Sequence, residues 1–184
     1  METNPVYLVS AIDCGYFAVS LFTHAAVNRE NPSTNSRRIA KALTMAGYSG
    51  TPLPQKLGIK PGLTVVTINA PTNYRRLLST IPEDVTFSDR LKPDSSFVHI
   101  FIKKRSELEK RLSSLREKVA DTGTVWVSWP KKSSGVPTDV TEDVVRAVVL
   151  PLGFVDVKVC AIDETWSGLK LMVRRTNRKV PVRE

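Results

Sequence analysis

The sequence predicts a three-layer α/β domain with a mostly parallel sheet that ends in an antiparallel hairpin. Short apolar runs at 63–68 and 97–102 lack polar alternation, as expected of strands covered on both faces. Amphipathic helical patterns over 106–119 and 138–148 separate the later strands, which favours right-handed crossovers between parallel strands. The last two strands are joined by the short connection 163–168 and should pair antiparallel. This pattern is Rossmann-like, in the methyltransferase-like variant.

Six short segments have the composition of strands. They are rich in β-branched and aromatic residues, and turn residues bound them. They cover 63–68, 85–87, 97–102, 124–129, 155–162 and 169–173.

Helices separate these strands, and cap residues set their predicted ends. Thr51 and Pro52 start a short helix that Gly58 ends, because a hydroxyl cap followed by proline favours helix initiation. A second short helix is predicted over 73–79, with Asn73 or the residue before it as the cap.

Two longer helices follow. Ser106 and Glu109 form a capping box at the start of the first, and Gly123 closes it. Thr138 or Asp139 caps the second. The side chains predicted to face the core are Leu108, Leu112, Leu115 and Val119 in the first helix, and Val140, Val144, Ala147 and Val148 in the second.

The composition fits one globular domain with appendages. Of the 184 residues, 41% are hydrophobic and 24% are charged, which is ordinary for a chain that buries a core. We expect an N-terminal extension over 1–44 that is helical or poorly ordered, a Rossmann-like domain over 45–175, and a basic tail over 176–184. The net charge of +9 favours anionic partners such as nucleotides, nucleic acid or acidic proteins.

The N-terminal segment and the two cysteines indicate the cellular compartment of the protein. Apolar residues dominate 6–27, but Asp13 and Gly15 interrupt them and no basic region precedes them, so a signal peptide or a membrane span fits poorly. Cys14 and Cys160 lie far apart and outside any Cys/His cluster, which predicts neither a disulfide framework nor a zinc site. We therefore expect a cytoplasmic protein with no membrane partner.

The loop after the fourth strand is the strongest candidate for a ligand site. In an open parallel sheet, ligands bind beyond the carboxyl ends of the strands. Here two lysines, two hydroxyls and a glycine precede a helix start, where free amides and the helix dipole favour an anion. The phosphate-loop pattern GxxxxGK[ST] is absent, and a solvated loop whose threonine only caps the helix is the alternative. The candidate residues are Trp129, Lys131, Lys132, Ser133, Ser134, Gly135 and Thr138.

A second candidate lies in the connection between the last two strands. Asp163 and Glu164 are adjacent acids beside Trp166, which together with Trp129 could wall a ligand pocket. Adjacent residues in an extended strand point apart, so a shared catalytic carboxylate pair would need a bend. We therefore favour turn chemistry for the two acids.

No cofactor site or catalytic set can be identified from the sequence. The loop 69–73 after the first strand contains no glycine and is stiffened by Pro71, which is evidence against a dinucleotide or S-adenosylmethionine site. Asp89 follows the second strand and is interpreted as a surface turn residue. His99 lies within an apolar strand and is interpreted as a hydrogen-bonded core histidine. The sequence leaves the cofactor unknown and does not decide whether the protein is an enzyme.

Four stretches of the chain resemble a known family. They are GYSGTPLPQKLGIKPG at 47–62, WVSWPKKSSG at 126–135, TDVTEDVVR at 138–146 and VDVKVCAIDETWSGLK at 155–170. In this order they are similar to blocks of the bacterial family called domain of unknown function 3052, over about 45–175. The resemblance implies a small bacterial cytoplasmic protein with a Rossmann-like fold, and it supplies no catalytic residue. It also suggests a natural start near Met45, with 1–44 an extension from an early start codon.

Three functions are compatible with these observations. The first is a binding module for an anionic small ligand, such as a nucleotide or a phosphorylated or carboxylated metabolite, held by the lysine loop. The second is a divergent methyltransferase-like enzyme. The third is a nucleic-acid or protein interaction through the basic tail, whose alternative is a solvated, frayed end. The basic residues of that region are Arg174, Arg175, Arg178, Lys179 and Arg183.

Overall fold

The computed structural model describes residues 50–179. Its helices and strands follow the predicted order along the chain. In that order they are α1 (Leu53–Leu57), β1 (Thr64–Ile68), α2 (Tyr74–Leu77), β2 (Thr86–Ser88), β3 (Ser95–Phe101), α3 (Arg105–Lys118), β4 (Val119–Pro130), α4 (Glu142–Val149), β5 (Phe154–Ala161) and β6 (Trp166–Val173). Two 3₁₀ turns cover Lys132–Ser134 and Arg175–Asn177.

The six strands form one mixed sheet in the order β2-β1-β3-β4-β6-β5. Strands β1 to β4 are mutually parallel where they pair. Strand β6 lies between β4 and β5 and is antiparallel to both. The predicted mostly parallel sheet with a final antiparallel hairpin is therefore confirmed.

Helices cover the two faces of the sheet unequally. On the first face, the buried side chains of α3 and α4, such as Leu112 and Val145, pack with strand residues such as Ile100 and Leu171. On the second face, α1 and α2 contribute few side chains, such as Leu57, to a cluster that is rich in aromatic residues. Each fully buried aliphatic side chain contributes about 1.5–3 kcal/mol, so the first face supplies much of the hydrophobic stabilisation.

Helix α3 is capped from a distant part of the chain, and the predicted capping box is wrong. The helix begins at Arg105, and its N-cap residue Lys104 makes no side-chain cap. The backbone N–H of Arg105 instead donates to Oδ1 of Asp139 over 2.7 Å. Glu109 pairs with Arg105 (Oε1 to Nε, 2.8 Å), so it is not available to Ser106. The negative charge of the Asp139 carboxylate also interacts favourably with the positive, N-terminal end of the helix dipole.

The end of α3 also differs from the prediction. The helix stops at Lys118, and the chain enters β4 at Val119, five residues before the expected strand. Gly123 therefore lies within β4 and does not cap the helix. A Cβ at Gly123 would come within 2.8 Å of Cγ1 of Val119, so close packing, not helix termination, explains this glycine.

Helix α4 is capped two or three residues later than predicted, and a different face is buried. The hydroxyl of Thr141 accepts a hydrogen bond from the N–H of Val144 over 3.3 Å, so Thr141 is the cap. Val145 and Val149 are the buried residues of the helix. The predicted inward residue Ala147 is exposed. The buried face is therefore displaced by one residue, about 100° around the helix, from the predicted face.

The two short helices are only partly as predicted. Helix α1 ends at Gly58, which has a left-handed φ of 81°, as expected of a glycine cap. Its N-cap is Pro52 and no side chain caps it, so Thr51 does not have the predicted role. Helix α2 covers four residues where seven were expected, and Asn73 makes no side-chain cap.

Strand β5 is the last strand of the sheet in the part of the chain that the structure describes. Its pairing with β6 shifts between Asp156 and Lys158, which marks a bulge at Val157. Val157 is half exposed, and Lys158 lies beside it on this edge. A bulge and a lysine are common features of protected edge strands.

The predicted extension over 1–44 lies outside the described residues, as do 45–49 and 180–184. Within 50–179, no helix is long and apolar enough to cross a membrane.

We predict that Asp139→Ala destabilises the fold by about 1 kcal/mol, because it removes the distant cap of α3. Urea unfolding followed by circular dichroism measures the change. Asp89→Ala removes an exposed carboxylate of the same kind and should change stability by less than about 0.5 kcal/mol. Equal effects of the two substitutions would show that the cap contributes nothing specific.

Candidate functional site

Two loops at the carboxyl ends of the parallel strands are tied together. Thr138, in the long loop after β4, donates through Oγ1 to the carbonyl of Lys103, which follows β3 (2.9 Å). The neighbouring Asp139 caps the first residue of α3 in the same region. We call the lysines on these two loops, Lys103, Lys104, Lys131 and Lys132, the basic rim. Because β3 and β4 are adjacent and parallel, the basic rim lies at one edge of the sheet.

The lysines of the basic rim have different roles. Lys131 holds the hairpin: its N–H donates to the carbonyl of Thr165 and its Nζ to the carbonyl of Asp163, each over 2.7 Å. Lys103, Lys104 and Lys132 are exposed. Among residues 50–179, no carboxylate forms an ion pair with any of these three ammonium groups.

The two serines and the glycine build a tight turn. Oγ of Ser134 donates to the carbonyl of Lys131 over 2.7 Å and accepts from the N–H of Val136 over 3.3 Å. Gly135 follows with a φ of 68°, a left-handed conformation that favours glycine. Ser133 is exposed. The Ser134 hydroxyl is thus used within the loop, while that of Ser133 faces no described partner.

At each of the two helix starts near this loop, a side chain already accepts a hydrogen bond from one amide. The first amide of α3 is bonded to Asp139, and Thr141 caps α4 well beyond the glycine of the loop. The exposed ammonium groups of Lys103, Lys104 and Lys132 supply positive charge to the rim.

In the β5–β6 turn, Asp163 stabilises the turn itself and Glu164 does not join it in a catalytic pair. Oδ1 of Asp163 accepts from the N–H of Thr165 over 2.8 Å and from the N–H of Trp166 over 2.7 Å. This is an Asx-type turn. Glu164 is exposed. The structure brings Asp163 together with Lys131, but it shows no pair of carboxylates acting together.

The two tryptophans proposed as pocket walls lie on opposite faces of the sheet. Trp129 packs in the cluster beneath α3 and α4, whereas Trp166 packs edge-on to Phe101, with ring centroids 5.0 Å apart, on the second face. Trp126 also faces the second side, as expected from its spacing to Trp129. Trp129 and Trp166 are both more than nine-tenths buried, so they do not line one open pocket.

The loop after β1 does not fit the glycine cradle that a nucleotide cofactor normally uses. Asn69 adopts a left-handed φ of 54° and donates through Nδ2 to Oε1 of Glu107 over 2.8 Å, which binds the loop to α3. The helix that follows, α2, has only four residues and offers no extended dipole. These residues do not fit S-adenosylmethionine in its usual position.

A buried polar network on the second face was not predicted. His99 lies between the hydroxyls of Tyr74 (to Nδ1) and Ser128 (to Nε2), each 2.8 Å away. A neutral imidazole donates from one nitrogen and accepts at the other, so both hydroxyls are satisfied. Burial lowers the pKa of His99 to about 3 and raises the pKa of Tyr74 above its ordinary value. The interpretation of His99 as a hydrogen-bonded core residue agrees with these contacts, but its partners could not be read from sequence spacing.

Two surface clefts open at the opposite, amino-terminal edge of the sheet. One of about 350 Å³ is lined by Asp94, Arg116, Glu117, Val119, Asp121 and Lys179. The other, of about 250 Å³, lies beside the start of β1 and β3. The described part of the basic tail is held near the first cleft, because the N–H of Lys179 donates to Oδ2 of Asp121 over 2.6 Å and Nη2 of Arg116 donates to the carbonyl of Asn177 over 2.7 Å. Residues 176–179 therefore pack on the domain, and a role of the tail in nucleic-acid or protein binding stays a prediction.

Comparison with known proteins identifies the architecture. No protein-family model matches the sequence, and no curated protein matches it. A solved structure from Sulfolobus solfataricus, assigned to the type 11 methyltransferases, has a TM-score of 0.50 and 13% identity over 72% of this chain and 95% of its own. The domain has a methyltransferase-like fold.

Two further methyltransferase structures match with lower scores. A SAM-dependent methyltransferase from Aquifex aeolicus has a TM-score of 0.46 and 15% identity, over 65% of this chain and 86% of its own. A ribosomal protein L11 methylase from Lactobacillus delbrueckii subsp. bulgaricus has a TM-score of 0.44 and 12% identity, over 67% and 76%. At such identities the likeness concerns the fold alone, and function must be argued from the site.

The His99 network predicts a pH-dependent stability. The folded pKa of about 3 lies below the ordinary value of 6.5, so the unfolded chain binds the proton first. The contribution of His99 is fully present above pH 6.5 and is lost as the pH falls towards 3, by at most about 1.4 kcal/mol per pH unit. Urea unfolding of the wild type and His99→Gln between pH 5 and 7 tests this. Parallel stability curves for the two proteins would contradict the prediction.

Proposed function

We propose that this protein is a cytoplasmic binding module, built on a methyltransferase-like fold, for an anionic small ligand such as a nucleotide or a phosphorylated or carboxylated metabolite. The observation that carries the proposal is the pair of interlocked loops that places Lys103, Lys104 and Lys132 at the carboxyl edge without carboxylate partners among residues 50–179. This edge is where open α/β sheets bind ligands. The free thiol of Cys160 suits a reducing compartment.

The contacts refine the predicted site. Lys132 and Ser133 are exposed and can meet a ligand, together with Lys103 and Lys104 from the neighbouring loop. Lys131 positions the hairpin through Asp163 and acts on a ligand mainly through its charge. Trp129 and Trp166 do not form the walls of this ligand site, because they are buried on opposite faces of the sheet.

Electrostatics sets the expected strength of binding. An exposed ion pair contributes about 0.2–1 kcal/mol. Three such pairs total at most about 3 kcal/mol, which is less than the roughly 4 kcal/mol of a millimolar complex. A tighter ligand must therefore use further hydrogen bonds, and its affinity should fall with ionic strength.

We predict that Lys103→Ala/Lys104→Ala/Lys132→Ala weakens binding of anionic ligands at least tenfold. Thermal shift with a panel of nucleotides and phosphorylated or carboxylated metabolites finds the ligand, and calorimetry measures its affinity. The control Arg76→Ala/Lys110→Ala/Arg174→Ala removes the same net charge from exposed sites elsewhere. If no anion stabilises the wild type, or both triple variants lose affinity equally, the rim is not the site.

A divergent methyltransferase-like enzyme is the second candidate, and the fold favours it. The fold is similar to that of a solved structure assigned to the type 11 methyltransferases. In addition, Asp89 is an exposed acid directly after β2, where such a sheet can contact a ribose. The loop at Asn69 opposes this candidate, so an enzyme of this kind would hold a methyl donor with other residues.

Calorimetry with S-adenosylmethionine and S-adenosylhomocysteine separates the two candidates. For a binding module at the basic rim, we expect no binding of either compound in the micromolar range. Micromolar binding that Asp89→Ala weakens tenfold, and that the rim variant leaves unchanged, would count against the rim as the ligand site and favour the methyltransferase-like candidate.

A further inference from the structure

A second group of lysines lies on the second face of the sheet. Lys158 on β5 pairs in register with Lys170 on β6, and Lys170 pairs in register with Trp126 on β4. Side chains directly opposite each other in neighbouring strands share one face of the sheet. The two lysine side chains and the indole therefore project from the same face of the sheet.

The chain that follows α1 places a third lysine, Lys60, close enough to repel Lys170. A Cβ built on Gly58 would lie 3.8 Å from Nζ of Lys170, so this ammonium group approaches the turn that ends α1. Lys60 follows that glycine by two residues and is exposed. The Nζ of Lys158 lies 5.9 Å from the ring centroid of Trp126, whose Nε1 donates to the carbonyl of Leu57 over 2.9 Å. We call Lys60, Lys158 and Lys170 the lysine cluster.

The lysine cluster carries uncompensated charge. Lys170 is half-buried, and its pKa is lowered first by burial and then by repulsion from Lys158 and Lys60. Within the described part of the chain, no carboxylate forms an ion pair with these three lysines. Like charges held together at a half-buried position destabilise the folded protein, and a bound anion relieves that cost.

We propose that the lysine cluster is a second anion-binding site, which holds a small phosphorylated ligand carrying two or more negative charges. The register sets its size, because Cα atoms of directly paired antiparallel residues are only about 4.5–5.5 Å apart. Two long lysine side chains that leave the same face at this Cα spacing can both reach one phosphate or diphosphate. Trp126 is fully buried, so it offers no free ring face to a base, and the site recognises charge alone. It lies apart from the basic rim and does not depend on that proposal.

Nuclear magnetic resonance of the ¹⁵N-labelled full chain tests the site, with inorganic pyrophosphate as the probe at constant ionic strength. We expect saturable shifts of the Trp126 indole N–H and of the Gly58 amide. The Gly135 amide reports separately on the basic rim. Shifts at Gly135 alone would overturn the lysine cluster as a site while supporting the rim, and shifts at Trp126 and Gly58 alone would do the reverse.

Two double variants separate charge from structural damage. Lys158→Gln/Lys170→Gln should weaken pyrophosphate binding at the Trp126 signal at least tenfold. Lys158→Arg/Lys170→Arg keeps both charges and should bind within about threefold of the wild type. The rim variant Lys103→Ala/Lys104→Ala/Lys132→Ala should leave this signal unchanged. Equal pyrophosphate affinity in the wild type and the glutamine variant, or equal shifts with sodium chloride, would overturn the proposal.

Discussion

The pairing of β4 with its neighbours is the constraint on which the rest of the fold depends. This strand joins the parallel half of the sheet to the antiparallel half, and it is buried on both faces. On one face, Ser128 bonds to His99 and Trp126 donates to the carbonyl of Leu57. Trp129 packs on the other face. If the pairing of β4 slipped by one residue, each of its side chains would move to the opposite face of the sheet. Buried polar groups would then lose their partners, so the free-energy cost would exceed that of the same slip in a purely apolar strand. The network thus specifies register as well as contributing to stability.

This register decides where charge collects on the molecule. At the carboxyl edge, the carboxylate of Asp139 accepts a hydrogen bond from the first amide of α3, and the exposed lysines of the two loops supply positive charge. On the second face, the pairing of β5 with β6 sets Lys158 beside Lys170. The two basic regions therefore have different origins: one belongs to loops that follow parallel strands, and the other to the antiparallel hairpin.

Sequence patterns predicted the features that arise from local composition. The β-branched runs, the order of elements and the antiparallel final strand were correct because each depends on residues close together in the chain. The prediction of the α3 cap was wrong because the capping residue, Asp139, lies 34 residues from Arg105. Local sequence patterns do not reveal a cap from so distant a residue. The separation of Trp129 from Trp166, and the meeting of Lys158 with Lys170, depend on strand register, which hydrophobic periodicity does not give. Lys131 and Asp163 were both chosen as candidates, but their contact emerged only from the fold.

The irregular pairing at Val157 has a consequence for the molecule in a crowded cell. A regular outer strand would present evenly spaced amides and carbonyls to any extended peptide, including a partly unfolded copy of the same chain. Here the inserted residue Val157 displaces these groups from a common line. Lateral growth of the sheet into fibrils is thereby disfavoured at the strand where it would otherwise be easiest.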